Sequence, residues 1–182
     1  MIRRILGVDP GLASAAACVY GYDGGKNYPE ILGVLDVPTI NDDTEKEIDG
    51  QAFRRFILQH DPDICYMERA TTMPSIPDPR TGMRRQMGTA TMGRYFAGVG
   101  ALRATVRLCD LEIVHVMPGQ WKKALGLVGE KKRGSLELVR NLHPESADRW
   151  FKRQKDHNRG EAALIAIWGA ARCDLIQLRP AA

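Results

Sequence analysis

Two apolar runs in this chain each end on a carboxylate. Ile5-Leu6-Gly7-Val8 leads into Asp9, and Ile64-Cys65-Tyr66-Met67 leads into Glu68, 59 residues later. Short apolar runs bounded by turn chemistry read as buried strands. Each acid therefore stands where a strand reaches the rim of its sheet. A third acidic segment, Asp156-His157-Asn158-Arg159-Gly160-Glu161, opens an apolar helix. Acids drawn from distant segments onto one sheet edge repel each other unless a cation lies between them, which is how hard oxygen-ligand metals are held.

The rest of the chain supplies the sheet that such an edge requires. Residues 2–8, 13–22 and 30–38 read as three strands, the last two joined by a turn at Asp23-Gly24-Gly25-Lys26-Asn27. Residues 41–49 are polar and acidic and read as a loop. A helix over about 47–59 follows, with Ile48, Ala52, Phe53, Phe56 and Ile57 on one face. His60-Asp61-Pro62-Asp63 stops it and starts the strand 64–68. Residues 71–86 hold three prolines and no periodicity, the mark of a long exposed loop, of the kind that is either functional or disordered. A helix over about 86–107 carries Ala90, Gly93, Ala97 and Ala101, small residues that allow close approach either to its own sheet or to a second copy. The fifth strand is 111–116. Pro118 begins a short helix that Gly129 breaks, and helices follow at about 130–142, ended by His143-Pro144, and 158–173, with Asn158 and Glu161 spaced as a capping box. Three strands followed by alternating helix and strand predict one α/β domain over 1–182, with a mixed sheet and helices on both faces.

Composition excludes some partners and favours others. No apolar run reaches the ~18 residues of a membrane span, and residues 1–25 lack a signal-peptide layout. Cys18, Cys65, Cys109 and Cys173 form no CxxC pair and sit in apolar surroundings. They are expected to be reduced core thiols of a cytoplasmic protein. Net charge is only +4, but residues 1–68 hold 6 Lys/Arg against 12 Asp/Glu, while 69–182 hold 20 against 10. That asymmetry suits a polyanionic partner, although an ordinary solvated basic surface would look the same.

Four stretches in order carry a family resemblance. They are Gly-Val-Asp-Pro-Gly at 7–11, Met-Glu-Arg at 67–69, Met-Pro-Gly-Gln-Trp-Lys-Lys-Ala-Leu-Gly-Leu at 117–127 and Asp-His-Asn-Arg-Gly-Glu-Ala-Ala-Leu-Ile-Ala at 156–166. The chain resembles the RuvC family of Holliday-junction resolvases, in its compact phage-type members, within the ribonuclease-H-like superfamily. The resemblance spans Ile5 to about Cys173. It implies a ribonuclease-H-like sheet of five strands, three antiparallel and then two parallel. It also implies a homodimeric endonuclease that cuts four-way DNA junctions by paired symmetric nicks, leaving 5′-phosphate ends, with no membrane and no small-molecule cofactor involved. The Gly-x-Asp-x-Gly opening is shared with actin-like kinases, but those folds need a duplicated domain of about twice this length.

On that resemblance, Asp9, Glu68, Asp156 and Glu161 would hold two Mg²⁺ per site, with Mn²⁺ substituting, ~3.5–4 Å apart. Each acid also has a plainer reading: Asp9 as a turn cap, Glu68 as a partner of Arg69, Glu161 as a capping residue. Asp156 departs from the family spacing. The family commonly separates its last two acids by three or four residues, whereas here the separation is five, which turns a helix by about 140°. Asp156 converges with Glu161 only if it precedes the helix, and His157 and Asn158 stand at the other spacings. Lys122 and Lys131 match the family's required lysines, with Lys122 expected at the chemistry. Arg69, Arg80, Arg84, Arg85, Lys123, Lys132 and Arg133 complete the expected DNA contacts. Some relatives place an aromatic wedge after the catalytic Glu, where this chain has Thr71, Thr72 and Met73; the sequence leaves the wedge open, with Met73 and Ile76 as apolar candidates. Two rival functions remain, a broader branched-DNA or structured-RNA nuclease and a junction-binding protein with a weakened site.

Overall fold

The computed structural model describes residues 3–11, 15–24, 26–42, 45–71, 76–77, 84–85, 88–130 and 132–177. Three antiparallel strands open the chain: β1 (Arg4–Asp9), β2 (Ala16–Gly21) and β3 (Glu30–Asp36). A hairpin of β4 (Thr39–Asp42) and β5 (Glu45–Ile48) follows, then α1 (Gly50–His60) and β6 (Ile64–Glu68). Two-residue strands β7 (Ile76–Pro77) and β8 (Arg84–Arg85) precede α2 (Thr89–Arg107) and β9 (Ile113–Val116). The chain continues through α3 (Pro118–Ala124), α4 (Lys132–Leu142), α5 (Pro144–Trp150), a 3₁₀ turn at Gln154–Asp156 and α6 (His157–Arg172). No helix among the described residues is long and apolar enough to cross a membrane.

The main sheet has the order β3-β2-β1-β6-β9, with β6 parallel to β1 and β9 parallel to β6. Side chains alternate between its faces. Ile5 and Tyr66 point into a core with Trp121, Leu136, Phe151 and α6, whereas Leu6, Val8, Cys65 and Met67 point into a core with α1 and α2. Helices thus cover both faces of the mixed sheet, as the strand pattern predicts.

Residues expected to be loop turn out otherwise in two places. Within the acidic segment 41–49, residues 41–42 and 45–48 are strand, paired in the β4–β5 ladder in which Thr39 faces Ile48. Helix α1 starts three residues later than expected because Asp49 caps it, accepting from Ala52 N at 2.8 Å. Ile76 and Pro77 pair with Arg85 and Arg84 inside the segment read as unstructured. Helix α5 was not foreseen, since His143-Pro144 reads as a stop although Pro is favoured at a first helical position. The expected capping box at Asn158 is absent: α6 begins at His157, and its N-cap residue is Asp156. Cys18 and Cys65 are buried and free, and Cys109 and Cys173 are free and half-buried. Burial pushes the Cys18 and Cys65 thiols up, so they stay neutral.

Candidate active site

Asp9 and Glu68 close adjacent parallel strands. The register pairs Val8 with Met67, so the next residue on each strand is an acid. By strand alternation Asp9 lies on the same face as Ile5 and Gly7, and Glu68 on the same face as Tyr66, the face that α6 covers. Asp9 is buried, at 6% exposure.

Helix α6 lies directly on β1 and runs antiparallel to it. A Cβ at Gly7 would come within 2.5 Å of Ala166 N and collide with the Ala162 carbonyl. Farther along, a Cβ at Gly169 would meet Ile5 Cγ2 at 3.0 Å and Tyr66 Cδ2 at 2.7 Å. Both glycines are needed for this close approach. Since Ala162 lies over Gly7, residue 158, one helical turn earlier, is carried toward the Asp9 end of the strand.

Each remaining acid at this edge is held by specific donors. Trp121 is fully buried, and its Nε1–H donates to Glu68 Oε2 at 2.8 Å. Lys122 Nζ lies 3.0 Å from Glu161 Oε1, which also accepts from Ser135 Oγ at 3.3 Å. Burial pushes the Glu68 carboxyl above the usual carboxylate range, and the neighbouring Glu161 charge adds to this; the Trp121 bond and Lys122 oppose it. Among the described residues, no three His, Cys, Asp or Glu side chains are gathered tightly enough to form a closed metal site. The carboxylates at the edge, Asp9 buried and Glu68 and Glu161 half-buried, nonetheless offer only oxygens, which is the chemistry that suits Mg²⁺ or Mn²⁺.

Asp156 does not join this edge. Its carboxylate, 3% exposed, accepts from Arg153 N at 2.7 Å, Nε at 2.9 Å and Nη2 at 2.6 Å. Arg159 Nη1 lies 3.8 Å from it, while the rest of that guanidinium grips Asp36 at the end of β3, at 2.8 and 2.5 Å. Burial alone would raise the Asp156 carboxyl, but the Arg153 bonds and the Arg159 charge outweigh it and hold the group below the usual range. The sequence expectation of Asp156 as a ligand misses this because Arg153 and Arg159, three residues to either side, compete for the carboxylate. Of the alternatives at the start of α6, His157 is the first helical residue and Asn158 is the one brought toward Asp9.

The expected basic residues divide. Lys122 stands at the acidic edge, its ammonium 5.0 Å from the Trp121 ring centre. Arg69 and Lys123 are exposed. Arg69 continues β6, its backbone N donating to Val116 O at 2.7 Å. Arg133 pairs with Glu137 at 2.6 Å along α4. Arg80, Lys131 and Met73 lie outside the described residues, as do the side chains of Ile76, Arg84, Arg85 and Lys132.

Three features were not foreseen. Trp121 holds Glu68; a buried indole N–H needs an acceptor, but only the fold says which. Tyr95 on α2 reaches the same rim, where burial and the charges of Glu68 and Asp9 push its phenol up. Arg103 and Arg107, one turn apart on α2, join Arg69 around His115 of β9, and burial together with these three cations lowers the His115 pKa.

No family model matches the sequence, and neither does any curated protein. Solved structures do. Thermus thermophilus RuvC is similar with a TM-score of 0.63 at 15% identity, covering 98% of this chain and 99% of that one. The same protein in complex with a Holliday junction substrate gives 0.65 at 14%, over 94% and 96%. The fowlpox virus Holliday junction resolvase gives 0.52 at 12% identity, over 93% and 99%. The alignments run over nearly the whole of both chains, through the sheet whose rim bears Asp9 and Glu68. The chain therefore has the ribonuclease-H-like fold of the RuvC-type Holliday junction resolvases.

Proposed function

We propose that this chain is a divalent-metal-dependent endonuclease that resolves four-way DNA junctions as a homodimer. The observation that carries the reading is the pairing of Asp9 and Glu68 at the ends of neighbouring parallel strands, with Glu161 and Lys122 at the same edge. Asp9, Glu68 and Glu161 would hold the metal, with Asn158 as the fourth oxygen donor in place of Asp156. Bound there, Mg²⁺ would acidify the attacking water and offset the charge of the scissile phosphate. Trp121 orients Glu68 through a single fixed hydrogen bond and keeps water off its inner side. Lys122 brings a positive charge to where the phosphate must sit, and restrains Glu161 until substrate arrives. Arg69, Arg103, Arg107 and Lys123 extend positive charge away from the edge, along the path a DNA backbone would take.

Two symmetric nicks require two sites, and a two-fold pair matches a two-fold junction. Gly93, Phe96, Gly100 and Ala104 form an exposed stripe on α2 that suits such pairing, with Phe96 41% exposed. The lock on Asp156 favours one second reading, a junction-binding protein with weakened chemistry. Incubation with Mg²⁺ on four-way, flap and duplex DNA tests both. Paired nicks confined to the four-way substrate support resolution, cutting of all branched forms supports a broader nuclease, and binding without nicks supports the weakened form.

A further inference from the structure

On the α2 side of the sheet rim lies a cavity of about 570 Å³ between α2 and the β4–β5 hairpin. This is within the size range of sites that take a small organic group. Pro10 and Gly11, the two residues that follow Asp9, line it on the strand side, and Tyr95 lines it on the helix side. The acidic edge and the cavity are therefore neighbours, separated by one turn of chain in which Gly11 N bonds Asp9 O at 3.0 Å.

The walls are of two kinds. Ala15, Ile48, Val99 and Leu102 make the interior apolar, and Leu102 and Val99 also belong to the core behind it. At the rim stand Thr39, Lys46, Glu47, Thr91 and Arg94, a mixture of donors and acceptors. Lys46 and Arg94 would attract a phosphate at the rim and Glu47 would repel it, but the apolar interior offers a phosphate no donor. A flat heterocycle with a polar edge suits the same lining: its faces need apolar and aromatic contacts, and its edge needs both donors and acceptors. Small residues keep the space open. Ala97, Gly98 and Ala101 line it from α2, and a Cβ at Gly98 would stand 3.6 Å from Ile48 Cγ1 across the gap.

We propose that this cavity receives the nucleobase adjoining the scissile phosphate and so sets which sequences the chain cuts. The inference rests on the nuclease reading above and adds to it the point at which sequence is read. A strand held with its phosphate at the rim that Asp9 and Glu68 share can lay a neighbouring nucleotide over that rim, beside Pro10 and Tyr95 of the cavity lining. At the exchange point of a four-way junction the bases have already lost stacking partners, so turning one out costs least there. Tyr95 offers the ring on which the extruded base stacks.

The test uses the full chain and four-way junctions carrying 2-aminopurine at each position around the exchange point. With Ca²⁺ in place of Mg²⁺, fluorescence should change on binding at one position next to the cut. With Mg²⁺ and saturating junction, cutting rates across a set of sequences should show a preference at that same position. Filling the cavity by Gly98→Leu should abolish the fluorescence change and reduce the preference by roughly tenfold or more, the discrimination that one well-read base supplies. Thr91→Trp plugs the rim from an end that needs no core packing, so it gives a second reading should Gly98→Leu fail to fold. Tyr95→Phe should keep the signal, and Tyr95→Ala should lose it. Wild-type signal and preference in both filled variants would overturn the cavity assignment alone. A chain that nicks no branched DNA would instead overturn the function proposed above.

Discussion

The indole Nε1 of Trp121 donates to Glu68 Oε2 at 2.8 Å from a side chain with no solvent exposure. A helix just beyond the edge strand thereby fixes the carboxylate at the end of the strand next to it. Trp121→Phe keeps most of the packing and removes the donor. Metal affinity, read as Mn²⁺ binding by calorimetry, should fall about 10- to 100-fold, the usual loss when the group behind a ligand is removed. The acid limb of the pH–rate profile should move to higher pH, because the bond opposes the upward shift of Glu68. An unmoved profile would show that the bond only packs the core.

Asp9→Asn should abolish nicking and leave junction binding intact or tighter, since a buried negative charge facing phosphate is removed. Gel shift and nicking assays on the same preparation check this. Retained nicking would take Asp9 out of the active site.

Glu68 and Asp156 should move stability in opposite directions with pH. Glu68 has its folded pKa raised, so its stabilising contribution is full below the unfolded value and fades as pH rises through the folded one. Glu68→Gln, which can still accept from Trp121, should therefore raise Tm at neutral pH by about 2–4 °C while abolishing cleavage. Asp156 has its folded pKa depressed, so its contribution is present above the unfolded carboxylate value and is lost as pH falls through the folded one. Asp156→Asn should cost about 1–3 kcal/mol at neutral pH and flatten the acid limb of the melting curve.

The start of α6 gives a direct contest. Asn158→Ala should lower Mn²⁺ affinity with little change in Tm, and Asp156→Asn should do the reverse. His157→Ala should leave both nearly unaltered. The opposite ranking for Asp156 and Asn158 would restore the carboxylate as ligand and make the Arg153 contact a resting arrangement.

Lys122→Ala should slow cleavage of saturating junction and leave affinity nearly unchanged, because Lys122 stands at Glu161 rather than on an outer surface. Neutralising Arg103 and Arg107 together should weaken binding and reduce the slope of log affinity against log salt by about 1 per lost phosphate contact. The same is expected for Arg84 and Arg85. If Lys122→Ala loses only affinity, that lysine is part of the general electrostatic footprint.

Whatever depended on local pattern was determined by the sequence itself. Strand alternation at 5–9 and 64–68 put Leu6, Val8, Cys65 and Met67 on one face and the acids at the rim, because a strand's period is fixed by its backbone. The helices on both faces followed from the same patterns, and the five strands, three antiparallel and then two parallel, from the family likeness; their order in the sheet came from the fold. The tertiary structure decided which polar groups meet. Asp156 was read by its spacing to Glu161, but Arg153 and Arg159 claim its carboxylate, a competition among neighbours that spacing does not express. Residues 41–42 and 45–48 carry charges typical of a loop, yet pair as strands, because strand partners are chosen in space. Trp121 and Tyr95 reach the acids from α3 and α2, 53 residues and about 27 residues along the chain from Glu68. Long-range contacts of this kind leave no periodic trace; they exist only once the sheet has brought strand rim and helix face to the same place.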